Sequence, residues 1–187
     1  MEITKKNAFI EFMKKSWVYF IVGVVVFAIA LTFTLAASLH ETVPTSIESI
    51  SFSNPMQNAV VVKDFSNTEL QENKTLKQWE AHLGIDLTSD SKDVLSIANG
   101  EVVDVSYDYL NGNVVTIKHS DGFVSKYSSL ANENLVKVGT KVSGGEKIGE
   151  ISQSGAAELE YGDHLHLTMF LNDNCVNPND YLDLQLK

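Results

Sequence analysis

Residues 112–127, GNVVTIKHSDGFVSKY, decide the fold class of this chain. Two runs of β-branched and alternating apolar residues flank the turn dipeptide Asp121-Gly122, which is the pattern of a β-hairpin. Similar runs recur before and after it, in AVVVKDF, VLSIA, GEVVDVSYDYL, EKIGEI and LHLTMFL. The best candidate for a soluble helix, TELQENKTLKQWEA at residues 68–81, has too few apolar residues to dock firmly. The sequence therefore predicts an all-β domain.

One apolar run near the start of the chain is a candidate membrane span. From Trp17 to Ala37 the sequence reads WVYFIVGVVVFAIALTFTLAA, without a charged residue. As a helix this run would extend about 32 Å, which is roughly one hydrocarbon core. The alternative is a signal peptide cleaved at Ala36-Ala37-Ser38. Because the run exceeds the about 7 to 15 apolar residues usual in signal peptides, we favour a single transmembrane helix.

Lysine distribution predicts the orientation of that helix. Lys5, Lys6, Lys14 and Lys15 lie before or at its amino-terminal end, whereas no lysine occurs between Ser38 and Val62. By the positive-inside rule, the amino terminus should be cytoplasmic. The predicted organisation is a cytoplasmic segment at 1–16, a transmembrane helix at 17–37, a stalk at 38–54 and an extracytoplasmic domain at 55–187.

Overall charge limits the classes of partner. The chain carries a formal net charge of −10 and contains no arginine. Since its few lysines are partly used at the membrane flank, the domain that follows is strongly acidic. An acidic domain argues against direct binding to nucleic acid or to anionic lipid surfaces.

Two histidines and an earlier His/Asp pair suggest a metal site. In YGDHLHLTMF, residues 161–170, His164 and His166 are two apart, so on a strand they would point to the same face. In HLGID, His82 and Asp86 are four apart around Gly84. Imidazole and carboxylate are ligands that zinc accepts, and a catalytic zinc site uses three protein ligands. His82, Asp86 and one of the two later histidines could form such a set.

The order of these motifs carries a family resemblance. HLGID, ANGEVVDV, GNVVTIKHSDG, YSSL, VKVGTKVSGGEKIGEIS, HLHL and VNPNDYL follow one another between about Trp79 and Leu182. This arrangement resembles the lysostaphin-type or LytM-type zinc endopeptidases, whose domain belongs to the duplicated hybrid motif class. The resemblance implies a zinc cofactor bound by His82, Asp86 and His166. It also implies that His164 takes the position of a catalytic histidine beside the metal-bound water.

One position departs from the family pattern. Enzymes of this family would have Tyr-x-His-Leu where this chain has YSSL, so Ser129 replaces a catalytic histidine. A serine is uncharged at neutral pH and cannot act as a general base there, and loss of such a group typically costs about 100-fold to 10,000-fold in rate. We therefore expect a domain that binds zinc but cleaves poorly or not at all. The alternative is an active zinc endopeptidase that cleaves peptidoglycan cross-bridges.

Three carboxylates precede the histidine pair. In SQSGAAELEYGDHLHL, Glu158, Glu160 and Asp163 surround the expected site. We expect them to belong to a solvated loop rather than to serve as supplementary ligands or substrate contacts.

The combination of a membrane helix, a short stalk and a degenerate LytM-type domain is similar to the stage II sporulation protein Q family of clostridia. That resemblance implies a protein in the forespore membrane, with its domain in the space facing the mother cell. The implied partner is a membrane protein like stage III sporulation protein AH, in a scaffold or channel that supports engulfment. Composition and motif spacing by themselves say nothing about sporulation.

Overall fold

The structure is a computed structural model that describes residues 2–38 and 50–186. It contains two units, an amino-terminal helix and a β-domain, which are described separately. Most of the predicted stalk, residues 39–49, lies outside the described residues.

The helix α1 spans Glu2–Ser38 and contains one candidate membrane span, Ile10–Leu31, with a mean hydropathy of 1.8. None of this span is buried against other protein, and Tyr19 and Phe27 are 68% and 69% exposed. A helix that is apolar on all sides is typical of a membrane span, and a signal sequence near the amino terminus can also reach this length and hydropathy. The span overlaps the predicted segment 17–37.

A nine-stranded sheet forms the centre of the β-domain, and this confirms the all-β prediction. Its strands are β1 (Val60–Lys63), β4 (Ile85–Thr88), β6 (Gly100–Asp108), β7 (Gly112–His119), β8 (Phe123–Leu130), β9 (Lys141–Val142), β11 (Leu165–Leu171), β12 (Asn174–Val176) and β13 (Gln185–Leu186). Their order in the sheet is β13-β1-β4-β11-β8-β7-β6-β9, and β12 also pairs with β11. All neighbouring strands are antiparallel except the β1–β13 pair.

Two small sheets lie beside the large one. One pairs β5 (Asp93–Leu95) with β10 (Lys147–Glu150). The other is a hairpin of β2 (Ser66–Asn73) and β3 (Gln78–His82), and it contains the segment with the weak helical pattern. The Asn73 side chain accepts a hydrogen bond from the backbone N–H of Leu76 inside the hairpin turn. The segment has few apolar residues because most of its side chains lie on the surface of an exposed hairpin.

The core of the β-domain is aliphatic, with one buried tyrosine. Leu87, Ile117, Leu130 and Leu167 are each fully buried, and they come from four different strands of the large sheet. Tyr127 is also fully buried, and its hydroxyl accepts a hydrogen bond from the backbone N–H of Ile97 at 2.9 Å. This packing gives the sheet one dry face, and it fixes the register that places the polar site described next.

Strand pairing brings together side chains that are far apart in the sequence. Strands β4 and β11 are antiparallel neighbours, and His166 is paired directly with Asp86. On the other side of β11, His166 is paired with Ser128 of β8. His82 is the last residue of β3, immediately before the turn into β4. The sheet register thus sets the position of the HLGID motif relative to the HLHL motif.

Candidate metal centre

His82, Asp86 and His166 meet at the edge of the β4–β11 pair. His82 Nε2 lies 3.4 Å from Asp86 Oδ1 and 3.4 Å from His166 Nδ1. His166 Nδ1 lies 2.8 Å from the same Asp86 oxygen. His82 is 4% exposed and Asp86 is fully buried. The three predicted metal ligands therefore present one atom each to a common point.

These distances fit a zinc ion. With metal–ligand distances near 2.0–2.2 Å, ligand atoms around tetrahedral zinc are about 3.3 to 3.6 Å apart. The two distances from His82 Nε2 match this spacing, whereas the 2.8 Å between His166 Nδ1 and Asp86 Oδ1 is a hydrogen-bond distance that would lengthen on metal binding. His82 Nδ1 lies 2.8 Å from the backbone carbonyl of Asp64, which can only accept, so this nitrogen carries the proton. The lone pair of a neutral His82 is then on Nε2, which faces the carboxylates. Such a carbonyl partner is typical of the outer shell around a metal-binding histidine.

Gly84 allows the loop between His82 and Asp86 to approach β11. A Cβ at this position would lie 2.6 Å from His166 Nε2 and 2.9 Å from the backbone oxygen of Leu167. Because real Cβ atoms do not tolerate such contacts, any side chain here would displace the His166 ring or the strand. The glycine between the two predicted ligands is thus required by packing against the third.

Glu158 also lies in the centre, so the expected solvated loop is wrong for this residue. Its Oε1 lies 3.5 Å from His82 Nε2, and its Oε2 lies 3.1 Å from His166 Nδ1. The Glu158 side chain is only 13% exposed. Glu160 and Asp163 are exposed as predicted, and Asp163 pairs with Lys92 on the surface. No local pattern in the sequence distinguishes Glu158 from these two neighbours.

Lys63 is a second residue of the site that sequence reasoning missed. Its Nζ lies 3.1 Å from Glu158 Oε1, and its side chain is 5% exposed. Lys63 belongs to β1, the neighbour of β4, so the sheet carries it to the centre from the opposite side to His166. A buried lysine of this kind fixes the carboxylate of Glu158 by an ion pair that solvent screens only weakly.

His164 and His166 both point into the site, as the strand argument predicted. His164 is 1% exposed, and its Nδ1 donates to the backbone carbonyl of Gly162 at 2.8 Å. Its Nε2 is 3.7 Å from Glu158 Oε2 and has no hydrogen-bond partner among the described residues. Asp86 Oδ2 is likewise buried and without such a partner in the described part of the chain. Buried polar atoms of this kind, placed around one point, are suited to bind an ion or a solvent molecule.

The charges of the site call for a cation. Burial lowers the pKa of His166, but its hydrogen bonds to Asp86 and Glu158 outweigh burial and raise the pKa to about 10. The same carboxylates outweigh burial at His82 and raise its pKa. Burial raises the pKa of Glu158, but contacts with the histidines hold that pKa well below its usual range. A proton on imidazole or a divalent metal ion supplies the positive charge that two facing carboxylates require.

Ser129 lies in the pocket beside these histidines. The pocket is small, and its lining residues are Leu110, Asn111, Ser128, Ser129, Gly155, Glu158, His164 and His166. Ser129 is 2% exposed, has a positive φ of 63°, and donates its hydroxyl to the backbone carbonyl of Ser152 at 2.9 Å. Its proton is therefore engaged in joining two chain segments. Among the residues that line the pocket, the only imidazole besides His164 is that of His166, which is a predicted metal ligand.

The site geometry agrees with the comparisons to known proteins. Peptidase family M23 matches residues 80–178, which is more than half of the chain. Stage II sporulation protein Q of Bacillus subtilis is 31% identical over 137 residues, which cover 68% of this chain and 48% of that protein. Peptidoglycan DD-endopeptidase ShyC of Vibrio cholerae is 34% identical over 102 residues, which cover 54% of this chain and 23% of the enzyme. The matched region is thus less than half of either relative.

A solved structure of the SpoIIQ–SpoIIIAH pore forming complex contains a similar chain. The TM-score is 0.62 at 26% identity, with 72% of this chain and 92% of that chain covered. The covered 72% of this chain is a larger share than the family match at residues 80–178.

Proposed function

This chain belongs to peptidase family M23, and we propose that it is a membrane-anchored scaffold whose domain binds zinc but is catalytically impaired. His82, Asp86 and His166 would hold the zinc ion. The anchor would be the helix at 17–37, with residues 1–16 in the cytoplasm, a stalk at 38–54 and the domain from 55 outside. Ser129 is the observation that carries the proposal of impaired catalysis.

Hydrolysis in such a site needs more than the metal. When bound, zinc lowers the pKa of a water molecule to about 7 and polarises a carbonyl group. His164 could exchange a proton at Nε2, because Gly162 accepts the proton on Nδ1. Opposite it, Ser129 offers only an uncharged hydroxyl that already donates to Ser152. Apart from the predicted ligand His166, the pocket therefore has one imidazole where the enzymes it resembles would have two, and its transition-state stabilisation would be reduced accordingly.

The scaffold role is supported by the similarity to stage II sporulation protein Q and by the fold shared with the SpoIIQ–SpoIIIAH complex. We infer a forespore membrane location, with the domain facing the mother cell. The inferred partner is a SpoIIIAH-like membrane protein, and the inferred assembly is a connection or channel between the two cells. The acidic charge of the chain is compatible with a protein partner and unfavourable for nucleic acid.

An active endopeptidase is the second candidate, and the intact His82, Asp86 and His166 set favours it. The similarity to a peptidoglycan DD-endopeptidase supports peptidoglycan as the substrate in that case. Because both candidates use the same metal ligands, zinc binding does not distinguish them. The rate of peptidoglycan hydrolysis distinguishes them.

The deciding experiment measures release of peptide from purified peptidoglycan by the zinc-loaded full chain in detergent. We expect wild type and the matched control Ser129→Ala to remain at background. Ser129→His tests whether an imidazole restores hydrolysis, since histidine is among the residues that tolerate a left-handed backbone. Robust zinc-dependent hydrolysis by the wild-type chain would contradict the scaffold proposal. Capture of a SpoIIIAH-like ectodomain by the same preparation would support it.

A further inference from the structure

We propose that Glu158 is a fourth metal ligand, which closes the centre against water and against a peptide carbonyl. This inference rests on the metal site proposed above and adds a residue to it. His82, Asp86, Glu158 and His166 each offer one ligand atom, and these atoms all lie within 4.8 Å of one another. Four protein ligands are typical of structural zinc sites, whereas catalytic sites keep one position open.

The position of the Glu158 carboxylate matches the place of the missing ligand. Its oxygens lie 3.5 Å from His82 Nε2 and 3.1 Å from His166 Nδ1, close to the spacing of about 3.3 to 3.6 Å expected around zinc. Asp86 approaches the same two imidazole nitrogens from the sheet. A water molecule that entered the coordination sphere would have to displace the carboxylate of Glu158.

The loop that carries Glu158 is held on both sides. Before it, the backbone N–H groups of Ala156 and Ala157 donate to the carbonyls of Tyr109 and Leu110 in the β6–β7 turn. After it, the backbone N–H of Glu160 donates to Thr75 Oγ1 in the β2–β3 hairpin. The carboxylate is therefore presented by a fixed backbone rather than by a long mobile loop.

Lys63 and His164 give the carboxylate a defined orientation. Lys63 Nζ binds Oε1 at 3.1 Å from within the sheet. On the other oxygen, the unpartnered and buried Nε2 of His164 faces Oε2 at 3.7 Å. A neutral imidazole nitrogen and a carboxylate oxygen are both acceptors, so this pair is stabilised only when a proton or a cation lies near it. A metal ion bound to Glu158 satisfies that requirement.

Closure by Glu158 and loss of the histidine at 129 affect different steps. With serine at position 129, the site lacks a group for proton transfer. Glu158 instead occupies the fourth coordination position of the metal, which a substrate carbonyl or a water molecule would need. The domain would thus retain zinc as a structural element while its catalytic chemistry is blocked twice. Restoring histidine at position 129 alone should then give little activity, because the metal remains closed.

Cobalt substitution of the full chain in detergent micelles tests the inference, because Co²⁺ reports its coordination in the visible spectrum. The probe for an open position is azide. We expect azide to leave the Co²⁺ spectrum of wild type unchanged and to change it saturably in Glu158→Ala and Glu158→Gln. Metal affinity should fall by at least about 10-fold to 100-fold in these variants. Glu160→Gln, an exposed carboxylate in the same loop, should behave as wild type.

Two results separate the possible failures. A wild-type spectrum that responds to azide would overturn closure by Glu158, and this measurement needs no folded variant. Failure of wild type to take up Co²⁺, or uptake that His82→Ala leaves undiminished, would instead refute the proposed metal site. Lys63→Met distinguishes ligation from a simple ion pair. It should weaken metal binding less than Glu158→Ala, and an equal loss with no azide response in either variant would refute ligation by Glu158.

Discussion

Zinc should stabilise the β-domain strongly, because only the folded domain brings the proposed metal ligands together. Asp86 is fully buried and Glu158 is 13% exposed, so without a metal ion two carboxylates share a poorly solvated site in which Lys63 pairs with Glu158. A ligand that binds only the folded state adds about 4 kcal/mol at a free concentration of about 1,000 times Kd. Replacing His82 by alanine should remove that contribution.

The expected effect on the melting temperature follows from the size of the domain. Residues 50–186 at about 2.1 cal/mol/K per residue give an unfolding entropy of about 0.3 kcal/mol/K. A contribution of about 4 kcal/mol then corresponds to about 14 °C. We expect a difference of this order between zinc-loaded and chelator-treated wild type, and little difference between the same two states of His82→Ala.

Thermal unfolding followed by circular dichroism of the full chain in detergent measures this difference. The transition of the β-domain is read from the loss of the strand signal, since the membrane helix should persist. Glu160→Gln is the matched control, because it changes an exposed carboxylate near the site and should keep the zinc response. Zinc-loaded and chelator-treated wild-type proteins that melt within about 2 °C of each other would refute the assignment of these buried groups to a metal.

Three further predictions address packing, pH and topology. Gly84→Ala should weaken zinc binding by about 10-fold to 100-fold because the new Cβ displaces the His166 ring, and competition with a chromogenic chelator would show whether it does. Burial lowers the pKa of His119, and its backbone contacts only partly offset this. The unfolded chain therefore gains a proton first as pH falls below about 6.5, so stability should be lost there, and urea midpoints should fall less in His119→Gln than in wild type. When the chain is expressed in non-sporulating cells, protease added outside protoplasts should degrade the β-domain completely, and a protected carboxy-terminal fragment would refute the predicted orientation.

The apolar pattern of the strands was sufficient to predict an all-β fold, because each strand must place apolar side chains on its buried face. Runs such as NVVTIKH and LHLTMFL alternate or concentrate apolar residues in the way that a sheet with one buried face demands. The turn at Asp121-Gly122 has positive φ at both residues, at 55° and 78°, as its composition predicted. The hairpin at 66–82 was not predicted as such, because its outward side chains are polar and its pairing carries little periodic signal.

The sequence alone indicated most of the site residues but not how they come together in space. Residue type and spacing within a strand or tight turn indicated His82, Asp86, His164 and His166 as candidates, because spacing restricts which side chains share a face. The choice of His166 as the ligand and the meaning of Ser129 came from the family resemblance. The convergence of these groups depends on the register of β4, β8 and β11, which the buried aliphatic residues of those strands enforce.

Only the tertiary structure shows that Glu158 and Lys63 belong to the site. Glu158 is one of three similar carboxylates in a loop, and Lys63 lies 95 residues earlier on another strand, so their meeting has no local signature. The loop conformation depends on hydrogen bonds to two separate hairpins, and the position of Lys63 depends on the pairing of β1 with β4. Local spacing can specify which residues share a face, but only long-range packing determines which loop carboxylate becomes buried beside them.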